Sequence, residues 1–170
     1  HVTSYLACDS SVTSGSTKTD TTHPNLKHHV LTLDGSEKVP IELVFVTSGS
    51  LSKCGYKLAQ FKECALQEDF SDVFDQEDVT TKIFNIANNV ESTVRTRLQN
   101  GDSKEDTGIL MMCNGRLYEW DDHLLSPIGL ISGDFVANGH GYVKAYAAYH
   151  LYKSINCFLP ESKRIEYDPS

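Results

Sequence analysis

The chain has 170 residues, a mass of 18.9 kDa, and 39% hydrophobic against 22% charged residues, which suits one domain around one core and excludes a disordered chain. Fifteen Lys and Arg against 23 Asp and Glu leave a formal charge of −8, so attraction to phosphate backbones or anionic lipid is not expected, and neither nucleic acid nor a membrane is an expected partner. No run nears the roughly 18 apolar residues that span a bilayer, and the opening residues lack the apolar centre of a signal peptide, so a soluble cytoplasmic protein is expected.

Residues Val2 to Ala7 read as a short strand, followed by a Ser/Thr/Gly/Asp tract from Asp9 to Thr22 whose short polar side chains favour turns and strand edges. Lys27 to Leu33 alternates enough for a strand, closed by Asp34-Gly35 as a turn. Ile41 to Thr47 is denser, as expected of a strand buried on both faces. The period then changes. Leu51, Cys54, Leu58, Phe61, Ala65 and Leu66 recur at three or four residues behind the capping hydroxyls of Ser48-Gly49-Ser50, predicting a helix over 51–66. An acidic loop, Gln67 to Asp78, leads to a second helix over 79–99, with one stripe from Val79 to Leu98 and a stop at Asn100-Gly101.

The chain returns to strands at Ile109 to Cys113 and Leu117 to Trp120. These flank Asn114-Gly115, the pair suited to a two-residue type I′ hairpin because both central residues take positive φ. Ile128 to Ile131 is a further strand, and Ser132-Gly133-Asp134 leads past Asn138-Gly139 into a helix over 140–156 carrying a tyrosine stripe, Tyr142, Tyr146, Tyr149 and Tyr152. Those tyrosines suit packing or a subunit interface. The tail, 158–170, holds at most one short strand.

The order ββββ, αα, βββ, α predicts a single α+β domain over 1–170 with predominantly antiparallel sheets. The five cysteines are odd in number and form no CxxC pair, so neither a disulfide framework nor a zinc knuckle is indicated. His28 and His29 are neighbours on a strand and point to opposite faces, and His123, His140 and His150 show no paired spacing, so no metal site and no cofactor are expected.

Four pieces in this order resemble the proteasome β-subunit and bacterial HslV peptidase family. They are Leu6-Ala7-Cys8-Asp9-Ser10 with Thr13-Ser14-Gly15-Ser16-Thr17; Lys27 before the next strand; Val44-Phe45-Val46-Thr47-Ser48-Gly49 before a helix; and the Ile109 to Glu119 hairpin followed by Ile128-Gly129-Leu130-Ile131-Ser132-Gly133 and a helix. The resemblance covers most of residues 1–153. It implies a four-layer αββα sandwich of the N-terminal-nucleophile hydrolase kind, with helices 51–66 and 79–99 on one side and helix 140–156 on the other.

It also implies chemistry. An N-terminal Thr attacks a peptide carbonyl while its own α-amine takes the proton. By match, Lys27 is the ammonium that lowers the nucleophile's pKa, Asp9 the carboxylate that holds it, and Ser132 a hydrogen-bond partner near the amine. Backbone N–H groups at Ser48-Gly49 would bind substrate and the oxyanion. Residue 1 is His and Asp9 follows it by eight positions, about half the family's separation, so the Thr is expected upstream of residue 1. A polypeptide substrate, a homo-oligomeric ring and an ATP-driven unfoldase are the implied partners. The small size and short tail fit a virus-encoded, phage-type member.

Two other readings stay open: a non-catalytic ring or shell component of the same fold, and an unrelated α+β binding module. In the last, Asp9 is a turn carboxylate, Lys27 a solvated lysine, and Ser132-Gly133 a helix-entry turn.

Overall fold

The computed structural model describes residues 4–8, 11–14, 17–20, 27–36, 39–98, 107–121, 128–131, 133, 135–139 and 141–165. They divide into two compact units, His1–Ile131 and Ser132–Ser170.

The first unit is built on a five-stranded sheet in the order β3-β4-β5-β6-β7: β3 (His28–Ser36), β4 (Val39–Gly49), β5 (Thr107–Cys113), β6 (Arg116–Asp121) and β7 (Ile128–Leu130). Every neighbouring pair is antiparallel, so the expected α+β class with antiparallel pairing is what the described residues form. β1 (Ser11–Ser14) and β2 (Thr17–Asp20) make a separate antiparallel hairpin. Helices α1 (Leu51–Gln67) and α2 (Gln76–Leu98) lie together between β4 and β5 in the chain.

Strand alternation decides where the core sits. On β4, Ile41, Leu43, Phe45 and Thr47 are buried, with Ile109, Met111 and Cys113 of β5 and Tyr118 and Trp120 of β6 on the same face. Against them pack Cys54, Leu58, Phe61 and Ala65 of α1 and the Val79 to Val94 stripe of α2. Burial of β4 on both faces is confined to its end. Glu42 is exposed and Val44 half-buried, while Val46 is buried. On that second face Leu110 is also buried, but Val30 at the β3 edge is 57% exposed.

Three boundaries differ from the sequence reading, each for a local reason. Residues 4–8 have no regular secondary structure, and strand pairing falls in the Ser/Thr tract instead. β-branched Val12, Thr13, Thr17 and Thr19 suit extended backbone there. Asp34-Gly35 is not the turn. β3 runs to Ser36, which pairs with Val39, and the register shift between Leu33 and Ser36 takes up Asp34 and Gly35. α2 begins at Gln76 because Asp75 caps it, its Oδ1 accepting from the N–H of Glu77 (2.8 Å) and Asp78 (3.0 Å). Part of the acidic loop is therefore a helical first turn.

Asn114 (φ 47°) and Gly115 (φ 84°) form the expected two-residue turn between Cys113 and Arg116. Asn114 also ties the turn to its neighbours. Its Oδ1 accepts from Glu42 N–H at 3.0 Å and its Nδ2 donates to Gln76 Oε1 at 3.1 Å. A Cβ at Gly115 would meet nothing within 4 Å, so Gly115→Ala strains only the backbone. The expected loss is about 1–2 kcal/mol, read from urea unfolding.

The second unit holds α3 (Tyr142–Phe158) and a 3₁₀ turn at Glu161–Lys163, with no strand among the described residues of the tail. Phe135 stacks on Tyr149 with centroids 4.4 Å apart. Asn156 holds Ile165 by two backbone hydrogen bonds of 2.9 Å, and Tyr152 Oη donates to the same carbonyl.

Candidate functional site

Antiparallel pairing of β3 and β4 puts the start of one strand beside the end of the other. Thr47 N–H donates to Lys27 O at 2.9 Å, so the residue just before β3 lies level with the last residues of β4. Lys27 is half-buried there. The next residues of β4 are Ser48 and Gly49, and Gly49 takes φ 81°, a conformation that side chains with a Cβ resist. Lys27 and Ser48-Gly49 are thus brought to one end of the sheet.

That end runs directly into α1. Ser50 occupies the N-cap position, yet its hydroxyl caps no helix N–H and instead contacts Ser52 Oγ at 3.3 Å. No acidic residue sits in the first turn. The N–H groups there retain the partial positive charge of a helix N-terminus. Beneath the turn, Cys54 Sγ donates to Ser48 O at 3.4 Å, Cys54 N–H to Ser50 O at 2.9 Å, and Ser48 Oγ to Gly108 O at 3.4 Å. Thr47 Oγ1, on the helix-facing side, is buried without a hydrogen-bond partner. A cationic side chain, a glycine turn and the first turn of a helix suit polarisation of a carbonyl or retention of an anion.

Asp9 and Ser132, the other two expected site residues, lie outside the described residues. The chain reaches Ser132 through β7, whose antiparallel course brings Ile131 N–H onto Leu117 O at 2.9 Å. Ile131 is therefore level with the Asn114-Gly115 end of the sheet, three strands across and about 10 Å along from Thr47. Ser4 Oγ donates to Gly115 O at that same end. No group of three His, Cys, Asp or Glu residues placed to hold a metal occurs among the described residues, and no described helix is long and apolar enough to cross a membrane.

A second polar cluster, inside the core, escaped the sequence reading. Lys57 of α1 is fully buried and pairs with Glu91 of α2 at 2.8 Å. Glu91 also accepts from Trp120 Nε1 at 3.2 Å and from Arg95 Nε at 3.4 Å. Lys57 Nζ lies 5.6 Å from the Trp120 ring centroid. The signal was present: Lys57 follows Cys54 by three positions and precedes Leu58, so it falls within the apolar stripe, and Glu91 adjoins Val90 on the stripe of α2. With Glu91 engaged on both oxygens, this is an internal ion pair joining two helices and a strand. At the far end of β5, burial pushes the Cys113 thiol up to about 11, which keeps it protonated and unreactive in the folded chain.

No family model matches the chain and no curated protein matches it. Among solved structures, the helical assembly of the Anbu complex from Pseudomonas aeruginosa is similar over 89% of this chain and 70% of that one, at 13% identity and a TM-score of 0.43.

Proposed function

We propose that the chain is a threonine-type peptidase subunit of the proteasome and HslV kind, acting in protein degradation, with its site at the Lys27 and Ser48-Gly49 end of the sheet. The observation that supports this is the backbone pairing of Lys27 with Thr47, which puts residue 27 level with the strand end that leads into the positive-φ Gly49 and the first turn of α1. In this reading an N-terminal Thr supplies nucleophile and base, Lys27 stabilises its deprotonated form, and Asp9 holds Lys27. The N–H groups at Ser48-Gly49 receive the oxyanion, and Ser132 assists the amine. The fold that goes with this reading is the four-layer αββα sandwich. The working form is a homo-oligomeric ring fed with polypeptide by an ATP-driven unfoldase in the cytoplasm.

The non-catalytic ring or shell reading is favoured by one observation, the course of β7, which carries Ile131 toward the opposite end of the sheet from Ser48-Gly49. The residue at the mature N-terminus separates the two. Intact-mass measurement on the mature protein is expected to find Thr for a peptidase, and any other residue there favours the shell component.

A further inference from the structure

We infer that the buried cluster of Lys57, Glu91 and Trp120 fixes where the first turn of α1 sits over the Lys27 end of the sheet, which makes Lys57 and Glu91 positioning residues for the candidate site. A single oxygen joins the parts. Glu91 Oε2 of α2 lies 2.8 Å from Lys57 Nζ of α1 and accepts from Trp120 Nε1 of β6 at 3.2 Å. Trp120 belongs to the crosswise row of the sheet that holds the site: it pairs with Ile109, Ile109 pairs with Thr47, and Thr47 N–H donates to Lys27 O. Two strand spacings, about 10 Å, separate Trp120 from Thr47. Lys57 follows Leu51, the first residue of α1, by six positions, which is about 9 Å along the helix axis. One carboxylate of α2 is therefore tied both to the start of α1 and to the row beneath it.

The joint between β4 and α1 does little to set that position by itself. Gly49 takes φ 81°, and Ser50 at the N-cap gives the helix no side-chain hydrogen bond. Cys54 donates through its N–H to Ser50 O and through its thiol to Ser48 O, but these bonds lie within residues 48–54 and move with them. Leu58, Phe61 and Ala65 bury α1 by apolar contact, which has no direction. A charged hydrogen bond is short and directional, so it selects one placement of the helix among those that apolar packing tolerates. Against apolar residues of the same volume a buried pair adds little stability, and what it adds here is the choice of position. Glu91 is anchored in turn within α2, where Arg95 Nε lies 3.4 Å from its other oxygen. As a statement about the site this rests on the reading above, whereas the placement of α1 does not.

Amide hydrogen exchange of the full chain, followed residue by residue by NMR, tests it without an assay of activity. Lys57→Met cuts the tie to α1 and leaves Glu91 with Arg95 and Trp120, while Lys57→Met with Glu91→Leu fills the same space with apolar side chains. In both variants the N–H groups of Thr47 and Cys54, bonded to Lys27 O and Ser50 O, should lose protection at least about tenfold, and Leu110 to Met112 in the middle of β5 should keep theirs. Phe61→Leu, which spares the pair, should not separate Thr47 and Cys54 from β5 in this way. Should the double variant not fold, Lys57→Met alone decides. Unchanged protection at Thr47 and Cys54 overturns the proposal. So does a loss shared evenly with β5, or a Lys57→Met chain that does not fold, since either makes the cluster a support of the whole core. A mature protein that hydrolyses no peptide removes the catalytic reading and leaves the exchange result to decide this one.

Discussion

Glu91→Leu, with Lys57 left in place, should destabilise the fold by about 3–5 kcal/mol, because it removes the carboxylate that offsets a cation at a position with no solvent access. Lys57 Nζ loses its 2.8 Å partner and Trp120 Nε1 loses its acceptor in the same step. The effect belongs to a buried charge that has lost its carboxylate and not to the pair itself. Replacing both partners with apolar residues of similar volume, Lys57→Met with Glu91→Leu, should therefore recover most of the loss. Urea unfolding of the two single variants and the double variant checks this as a cycle. Additive losses would mean that the two groups do not act as a pair.

Phe61→Ala should cost a comparable ~3–5 kcal/mol by a different route, the opening of a cavity between α1 and the sheet. Phe61 is fully buried on α1, edge-on to Phe45 of β4 at 5.4 Å and to Trp120 of β6 at 5.7 Å. Phe61→Leu keeps most of the volume and should lose less than half as much. A small loss for Phe61→Ala in urea unfolding would show that the helices can close over the gap. The two sites share Trp120, so Phe61→Ala and Glu91→Leu should combine non-additively.

The parts of this fold that were legible in the sequence are those fixed by residues near one another in the chain. The Cys54 to Ala65 stripe and the Ser48-Gly49-Ser50 lead-in place α1 within one residue of its observed end, and Asn114-Gly115 specifies its turn by backbone conformation alone. What was not legible depends on partners distant in sequence. The place of Lys57 in the apolar stripe of α1 hints at burial, but the partners that make it tenable, Glu91 of α2 and Trp120 of β6, are distant in sequence. Asp34-Gly35 reads as a turn until pairing with β4 draws both residues into β3. The α3 tyrosines read as packing or interface residues, but what they pack on, Phe135 for Tyr149 and the Ile165 carbonyl for Tyr152, is not reported by periodicity within the helix. At the candidate site, Lys27 and Ser48-Gly49 could be named from motif order, but their level pairing comes from strand register.

Hydrolysis of fluorogenic peptides by the mature protein, measured beside its Lys27→Ala variant, tests the proposed site most directly. Lys27 is half-buried at the start of a strand, so the variant should keep the urea midpoint of the parent. The account predicts turnover by the parent and a fall of about 10²–10⁴-fold in the variant, the scale on which a positioned proton-handling group acts. Turnover that survives Lys27→Ala, or a mature protein that carries an N-terminal Thr and still hydrolyses nothing, would contradict it.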